Sequence, residues 1–174
     1  MAISISLNEY LTNHNIDYEL IKHRHTRSSF DSSCSAHVPS AEVAKAVILK
    51  CTDGSYLMSA LSVCHKLSIA QVNQLMGKRY QPLSEARLRD LFPDCEQGAI
   101  PSIGEAFVID MLVDDDLLKA EHVYIEAGDH RHLIKVDQQQ FAAMLAKVPH
   151  ANISGELVGY PKMIEHFSSE WRMS

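Results

Sequence analysis

Apolar residues recur at Leu7, Tyr10 and Leu11, with His14 following, the i, i+3, i+4, i+7 spacing of one helix face. Ser6 and Glu9 form a capping box at its start. Asp17–Lys22 reads as a strand, and the polar, aperiodic His23–Ser35 as a loop. Ser40 is placed to cap a short helix running from Ala41 to about Lys45. The clearest signal follows: two apolar runs, Ala46–Lys50 and Tyr56–Ala60, flank Thr52-Asp-Gly-Ser55, and Asp-Gly between such runs predicts a hairpin. Ser68 opens a helix with Ile69, Val72, Leu75 and Met76 on one face, closed by Gly77. Ser84–Phe92 is a second helix, with Leu88, Leu91 and Phe92 inward. Phe107–Val113 is apolar except for Asp110, which predicts a strand covered on both faces. Two short strands, Val123–Glu126 and Leu133–Val136, surround Ala127-Gly-Asp129. Asp137 caps a helix carrying Phe141, Met144, Leu145 and Val148. Tyr160–Trp171 has the spacing of one more amphipathic helix.

Strands that adjoin as hairpins, with helices interspersed irregularly, predict an α+β fold with a mixed sheet. The expected organisation is one domain over residues 1–154 and a helical extension over 155–174. Composition excludes several alternatives. With 46% apolar and 22% charged residues, the 174-residue chain is not globally disordered. Its formal charge of −6 argues against a protein that coats nucleic acid. A long apolar span and a basic leader are both missing, so a cytoplasmic location is expected. Cys34, Cys51, Cys64 and Cys95 form no Cys-x-x-Cys pair and are expected to be reduced.

Four places could carry chemistry. Gly98-Ala-Ile-Pro-Ser-Ile-Gly104 reads either as a tight connection or as a rigid loop offering backbone N–H donors to an anion or oxyanion. Lys45 stands at the predicted start of the Ala46–Lys50 strand. It either solvates the strand end or, turned inward, is a fixed cation at a cleft. His23/His25 and His130/His132 have the i, i+2 spacing of metal-like pairs on a strand, but no third ligand lies at a recognisable spacing. Asp114-Asp-Asp116 suits the positive end of a helix.

Four segments taken in order make the chain resemble the YbaK / prolyl-tRNA synthetase-associated editing domain family. They are Tyr18–His23 followed by Thr26; Ala44-Lys45-Ala46-Val47 leading into its apolar run; Gly98–Gly104; and Val123–Asp129 followed by His132-Leu-Ile. The resemblance runs from about Tyr18 to Ser154. It implies a mixed, partly barrel-like sheet flanked by helices, and hydrolysis of the ester that joins a wrong amino acid to the 3′ end of a tRNA. It implies Lys45 as the catalytic residue. It implies His23, Thr26, Gly98, Ala99, Ile100, Pro101, Ser102, Gly104, Ala127 and Gly128 as substrate-binding, with no metal or cofactor. The implied partners are aminoacyl-tRNA and an aminoacyl-tRNA synthetase, not membrane or DNA. The chain departs from the family pattern at Ala46, where a hydroxyl residue is common, and at Glu126, where a small neutral residue is common. A non-catalytic binding or regulatory module on the same fold is the alternative.

Overall fold

A computed structural model describes residues 3–157. In chain order the elements are α1 (Ile5–Asn13), β1 (Glu19–Lys22), α2 (Ser29–Ala36), β2 (Val43–Cys51), β3 (Tyr56–Ser62) and β4 (His65–Leu67). They continue with α3 (Ile69–Met76), β5 (Tyr80–Pro82), α4 (Glu85–Leu91), β6 (Asp110–Asp114), α5 (Asp115–Leu118) and β7 (His122–Glu126). The last are β8 (His132–Asp137), α6 (Gln138–Met144), β9 (His150–Ala151) and β10 (Ser154–Glu156), and 3₁₀ turns cover Ser40–Glu42 and Gly104–Phe107. The fold is α+β with a mixed sheet in the order β1-β8-β7-β2-β3-β6-β9; β5 also pairs with β2, and β4 pairs with β10 in a separate ladder.

Local chemistry makes the sheet. Between β2 and β3, Gly54 turns at φ +89° while the Asp53 carboxylate accepts the Ser55 N–H at 2.9 Å, so the two runs fold back in register from Ala44↔Ser62 to Lys50↔Tyr56. β7 and β8 form a second antiparallel pair. A parallel contact joins the two hairpins, with Val43 beside Tyr124 and Ala44 beside Ile125. Strand alternation then sorts side chains to two faces. Ala44 and Ile48 pack with Leu7, Leu11, Phe92, Ile125 and Phe141 on one face. Val43, Tyr124 and Leu133 pack with Phe30 and Ala36 of α2 on the other, and Leu49, Leu57 and Val72 form a further cluster. Burial at about 1.5–3 kcal/mol per large apolar side chain on both faces explains strands that read as continuous apolar runs.

The helices α3, α4 and α6 and both hairpins match the sequence reading, and Ser68 and Asp137 cap α3 and α6 as expected. Several expectations need correction. Ser4, not Ser6, caps α1, its hydroxyl accepting the Leu7 N–H, while the Ser6 N–H goes to Asp94. Residues 29–36, expected as loop, form α2, because its buried positions are Ser29, Ser32 and Ser33 and leave no apolar period to read. The segment after Ser40 is one 3₁₀ turn, and the strand starts at Val43, so Lys45 lies inside β2 rather than at a helix end. The run expected as a strand from Phe107 begins in a turn: Val108 is left-handed at φ +55° and 96% exposed, and pairing starts at Asp110. The expected helix Tyr160–Trp171 lies outside the described residues.

Gly104 is needed for close packing. A Cβ there would stand 2.5 Å from the Ile109 carbonyl oxygen and 3.0 Å from Met111 Cβ. Gly104→Ala is therefore expected to destabilise the fold by about 1–3 kcal/mol, read as a lowered melting temperature. An unchanged melting curve would show that the 3₁₀ turn yields freely.

Candidate functional site

Lys45 and Glu126 each lie two residues beyond the paired Val43 and Tyr124, so they point to the same face of adjacent strands. The parallel ladder ends at Ala44↔Ile125. The two polar side chains thus flank the point where β2 and β7 part, on the face that α2 covers.

The Lys45 ammonium is half-buried and donates to the His65 backbone carbonyl at 2.5 Å. Burial lowers its pKa, because removing water disfavours the charged form, while nearby Cys64 acts weakly the other way. His65 itself belongs to a polar cluster. Its Nδ1 lies 2.8 Å from the Ser154 hydroxyl, which donates to the buried Asp114 carboxylate at 2.8 Å. His65, Asp114 and Asp116 are the group that could hold a metal ion among the described residues. The Asp114 carboxylate is already occupied, since its other oxygen accepts the Ile153 N–H.

Glu126 is fully buried. Oε1 accepts the Ser32 hydroxyl from α2 at 2.7 Å, and Oε2 has no partner among the described residues. Burial pushes its carboxyl up to about 7, with Asp129 and Glu96 adding to the shift and the Ser32 and Ser29 hydroxyls opposing it. His130, at 2% exposure and φ +52°, presents Nδ1 at 3.8 Å from Glu126 Oε1. Its Nε2 is 2.6 Å from the Gln97 carbonyl, so Nε2 carries the hydrogen.

The residues implied by the resemblance divide between two places. Thr26 and Gly98 gather around the Glu126–His130 pair. The Thr26 N–H donates to the His130 carbonyl, and its hydroxyl is 2.8 Å from that of Ser32. Gly98 turns at φ +82° so close to His130 that a Cβ would lie 3.2 Å from Nε2. His23 is buried at the end of β1; Nδ1–H donates to the Arg24 carbonyl at 2.6 Å, and burial lowers its pKa. The Ala127 and Gly128 carbonyls accept from the Ser4 and Glu96 N–H groups, anchoring α1 and the segment before the loop.

The loop from Gly98 to Gly104 turns inward. Every residue from Ala99 to Gly104 is buried, including Ile100, Pro101 and Ser102; Ile100 and Ile103 are core side chains. The Ala99 N–H goes to the Glu96 carbonyl and that of Gly104 to Met111 sulfur. Ile100 and Ile103 pull the backbone inward, and only Gly98 of this segment is exposed. Conversely, sequence reasoning did not single out Glu126 with His130 and Ser32 as a unit. The available signal was a carboxylate at an inward position of an apolar strand.

The profile of the aminoacyl-tRNA editing domain family matches residues 23–144. No curated protein matches the sequence. Among solved structures, the chain is similar to hypothetical protein APE2540, at 18% identity and a TM-score of 0.75 over 86% of this chain and 99% of that one. It is also similar to a candidate trans-editing enzyme for prolyl-tRNA synthetase, at 16% identity and a TM-score of 0.73 over 86% and 95%. A third is a candidate signal transduction protein from Marinobacter aquaeolei, at 15% identity and a TM-score of 0.67, where the match covers 87% of this chain but 31% of the other. Such identities speak to the fold.

Glu126 makes stability depend on pH. Its pKa is about 7 folded against an ordinary 4.5, so the folded state binds the proton more tightly. Its contribution is full below pH 4.5, is lost as pH rises toward about 7, and is constant above. The loss is on the order of 3 kcal/mol. Glu126→Gln should flatten this dependence and melt higher than wild type at pH 8. Parallel melting profiles from pH 4.5 to 8 would sink the assignment.

Proposed function

The chain belongs to the aminoacyl-tRNA editing domain family, and we propose that it is a free-standing deacylase that hydrolyses the ester of mischarged tRNA. An aminoacyl ester is already activated, so the protein has to hold the terminal adenosine and amino acid while water attacks the carbonyl carbon. The carbon–oxygen bond to the ribose then breaks, and the ribose oxygen takes a proton. A second sieve of this kind answers a physical limit: a single pocket separates small side chains poorly.

The observation that carries the reading at residue level is Lys45. Its ammonium is partly stripped of water and held by a neutral carbonyl. A cation so placed is available to negative charge, because no carboxylate neutralises it among the described ion pairs. In the proposed reaction it anchors the substrate's 3′ end or stabilises the charge that develops on the carbonyl oxygen. Glu126 faces the same side from the adjacent strand, with His130, Thr26 and Gly98 gathered around it. A synthetase that produces the mischarged tRNA is the natural source of substrate.

Release of amino acid from a panel of mischarged tRNAs tests the activity. Lys45→Ala should lower deacylation by about 10²–10³-fold, the usual effect of removing one charge-stabilising contact. It should cost about 1–3 kcal/mol of stability through the unpaired His65 carbonyl. Wild-type turnover by a folded Lys45→Ala protein removes the role of the lysine. Binding of aminoacyl-tRNA without release of amino acid favours the non-catalytic module.

A further inference from the structure

Glu126 and His130 present a problem in proton counting. The Gln97 carbonyl can only accept, so His130 Nε2 donates to it and Nδ1 carries a lone pair. Glu126 Oε1, 3.8 Å away, already accepts the Ser32 hydroxyl. Both groups are almost completely buried, and neither Nδ1 nor Oε2 has a partner among the described residues. Two buried acceptors side by side, with no donor between them, are costly. One proton on the pair removes the repulsion between Nδ1 and the carboxylate. On Glu126 it makes a carboxylic acid that donates to Nδ1 after a small approach; on His130 it makes an imidazolium facing a carboxylate.

The pair also spans two elements of the proposed site. Through Ser32, which bonds Thr26, it reaches α2. Through the Gln97 carbonyl it reaches the peptide just before Gly98, where an added Cβ would stand 3.2 Å from the ring. The Ser29 hydroxyl, also from α2, stands between the Gly98 carbonyl, 3.4 Å away, and the Glu126 carboxyl, and its one proton can serve only one of them at a time. We propose that Glu126 and His130 hold one shared proton and act as positioning residues that fix the Gln97–Gly98 backbone against α2. With the proton, the imidazole is held at both nitrogens. Without it, carboxylate and lone pair repel, and the ring is held through Nε2 alone, so its grip on Gln97 loosens. The role in deacylation rests on the function proposed above; the shared proton does not.

Other titratable groups surround the pair and must be separated from it. Asp129 and His132 lie on the same turn, bonded to each other at 2.7 Å. Glu96, before the loop, bonds His25 at 2.7 Å, and the His25 ring stands edge-on to His130 at 6.0 Å. His23 lies at the end of β1 and feels both His130 and His132. From α2 the nearest groups are the Ser29 and Ser32 hydroxyls, with Asp31 on its exposed side.

The test is an NMR titration of the full chain from pH 5 to 9, following the Glu126 carboxyl carbon, the His130 ring nitrogens and the Gln97 and Gly98 amides. The carboxyl, ring and amides should move with one common midpoint near neutrality. In Glu126→Gln, whose amide can donate to Nδ1 at every pH, the Gln97 and Gly98 shifts should lose that midpoint. If mischarged tRNA is hydrolysed, wild-type kcat/KM should fall about tenfold one pH unit above the midpoint, as the protonated fraction falls, and Glu126→Gln should lack this fall. A Glu126 carboxyl that titrates at the ordinary acidic value, or Gln97 and Gly98 amides that titrate unchanged in Glu126→Gln, overturns the proposal. Should the variant fail to fold, the wild-type carboxyl and ring titrations decide alone. A common midpoint in a protein that deacylates no tRNA retains the shared proton and removes the enzymatic reading.

Discussion

Two adjacent residue pairs, Val43 with Tyr124 and Ala44 with Ile125, hold the β2–β3 and β7–β8 hairpins side by side. The rest of the arrangement depends on how short this parallel contact is. Inside it, every side chain is apolar and packs on one of the two covered faces. One step beyond it, the backbones part and the chain places a lysine on one side and a glutamate on the other. A longer ladder would carry apolar pairing through these positions. A shorter one would leave the hairpins joined by packing alone.

The two ions at this parting are not a salt bridge. Lys45 bonds a backbone carbonyl, and Glu126 bonds a serine hydroxyl. Desolvation is the largest influence on both, and it favours the neutral form of each. Had they paired, each would have been stabilised as an ion and neutralised as a reagent. Neutral partners leave the lysine able to meet external negative charge and the glutamate able to keep a proton near neutral pH. The acidic overall balance therefore says little about this face, where the nearest fixed charge to an incoming anion is set by local burial.

How much of this was legible follows from which signals are local. Asp53-Gly54 between apolar runs specifies its hairpin within a few residues, and Ser68, Gly77 and Asp137 mark helix ends by hydrogen bonds to their neighbours. The general α+β architecture and the editing-domain resemblance were readable for that reason. α2 was not, because its buried face is made of Ser29, Ser32 and Ser33, and serines that face a buried carboxylate carry no apolar period. The inward set of the 98–104 segment was missed because Ile100 and Ile103 are only two core residues among glycines and a proline. Glu126 and His130 were visible as residues but not as a pair. Their meeting depends on α2 covering the sheet and on the Gln97 carbonyl fixing the ring, and neither can be read from spacing.

The acceptor of the Lys45 ammonium has an origin in time as well as in space. His65 sits on β4, whose only strand partner among the described residues is β10, and its ring meets Ser154 across a separation of 89 residues. Asp114 binds Ile153 and Ser154 over separations of 39 and 40 residues. Contacts so distant in sequence form late, because loop closure must precede them. During vector synthesis from the N-terminus the β2–β3 hairpin can form early with its lysine in place. The strand that carries the carbonyl steadying that lysine gains its partner only when β10 is made. The site therefore matures only once β10 has been made, and a nascent chain halted before Ser154 carries the hairpin without the completed site.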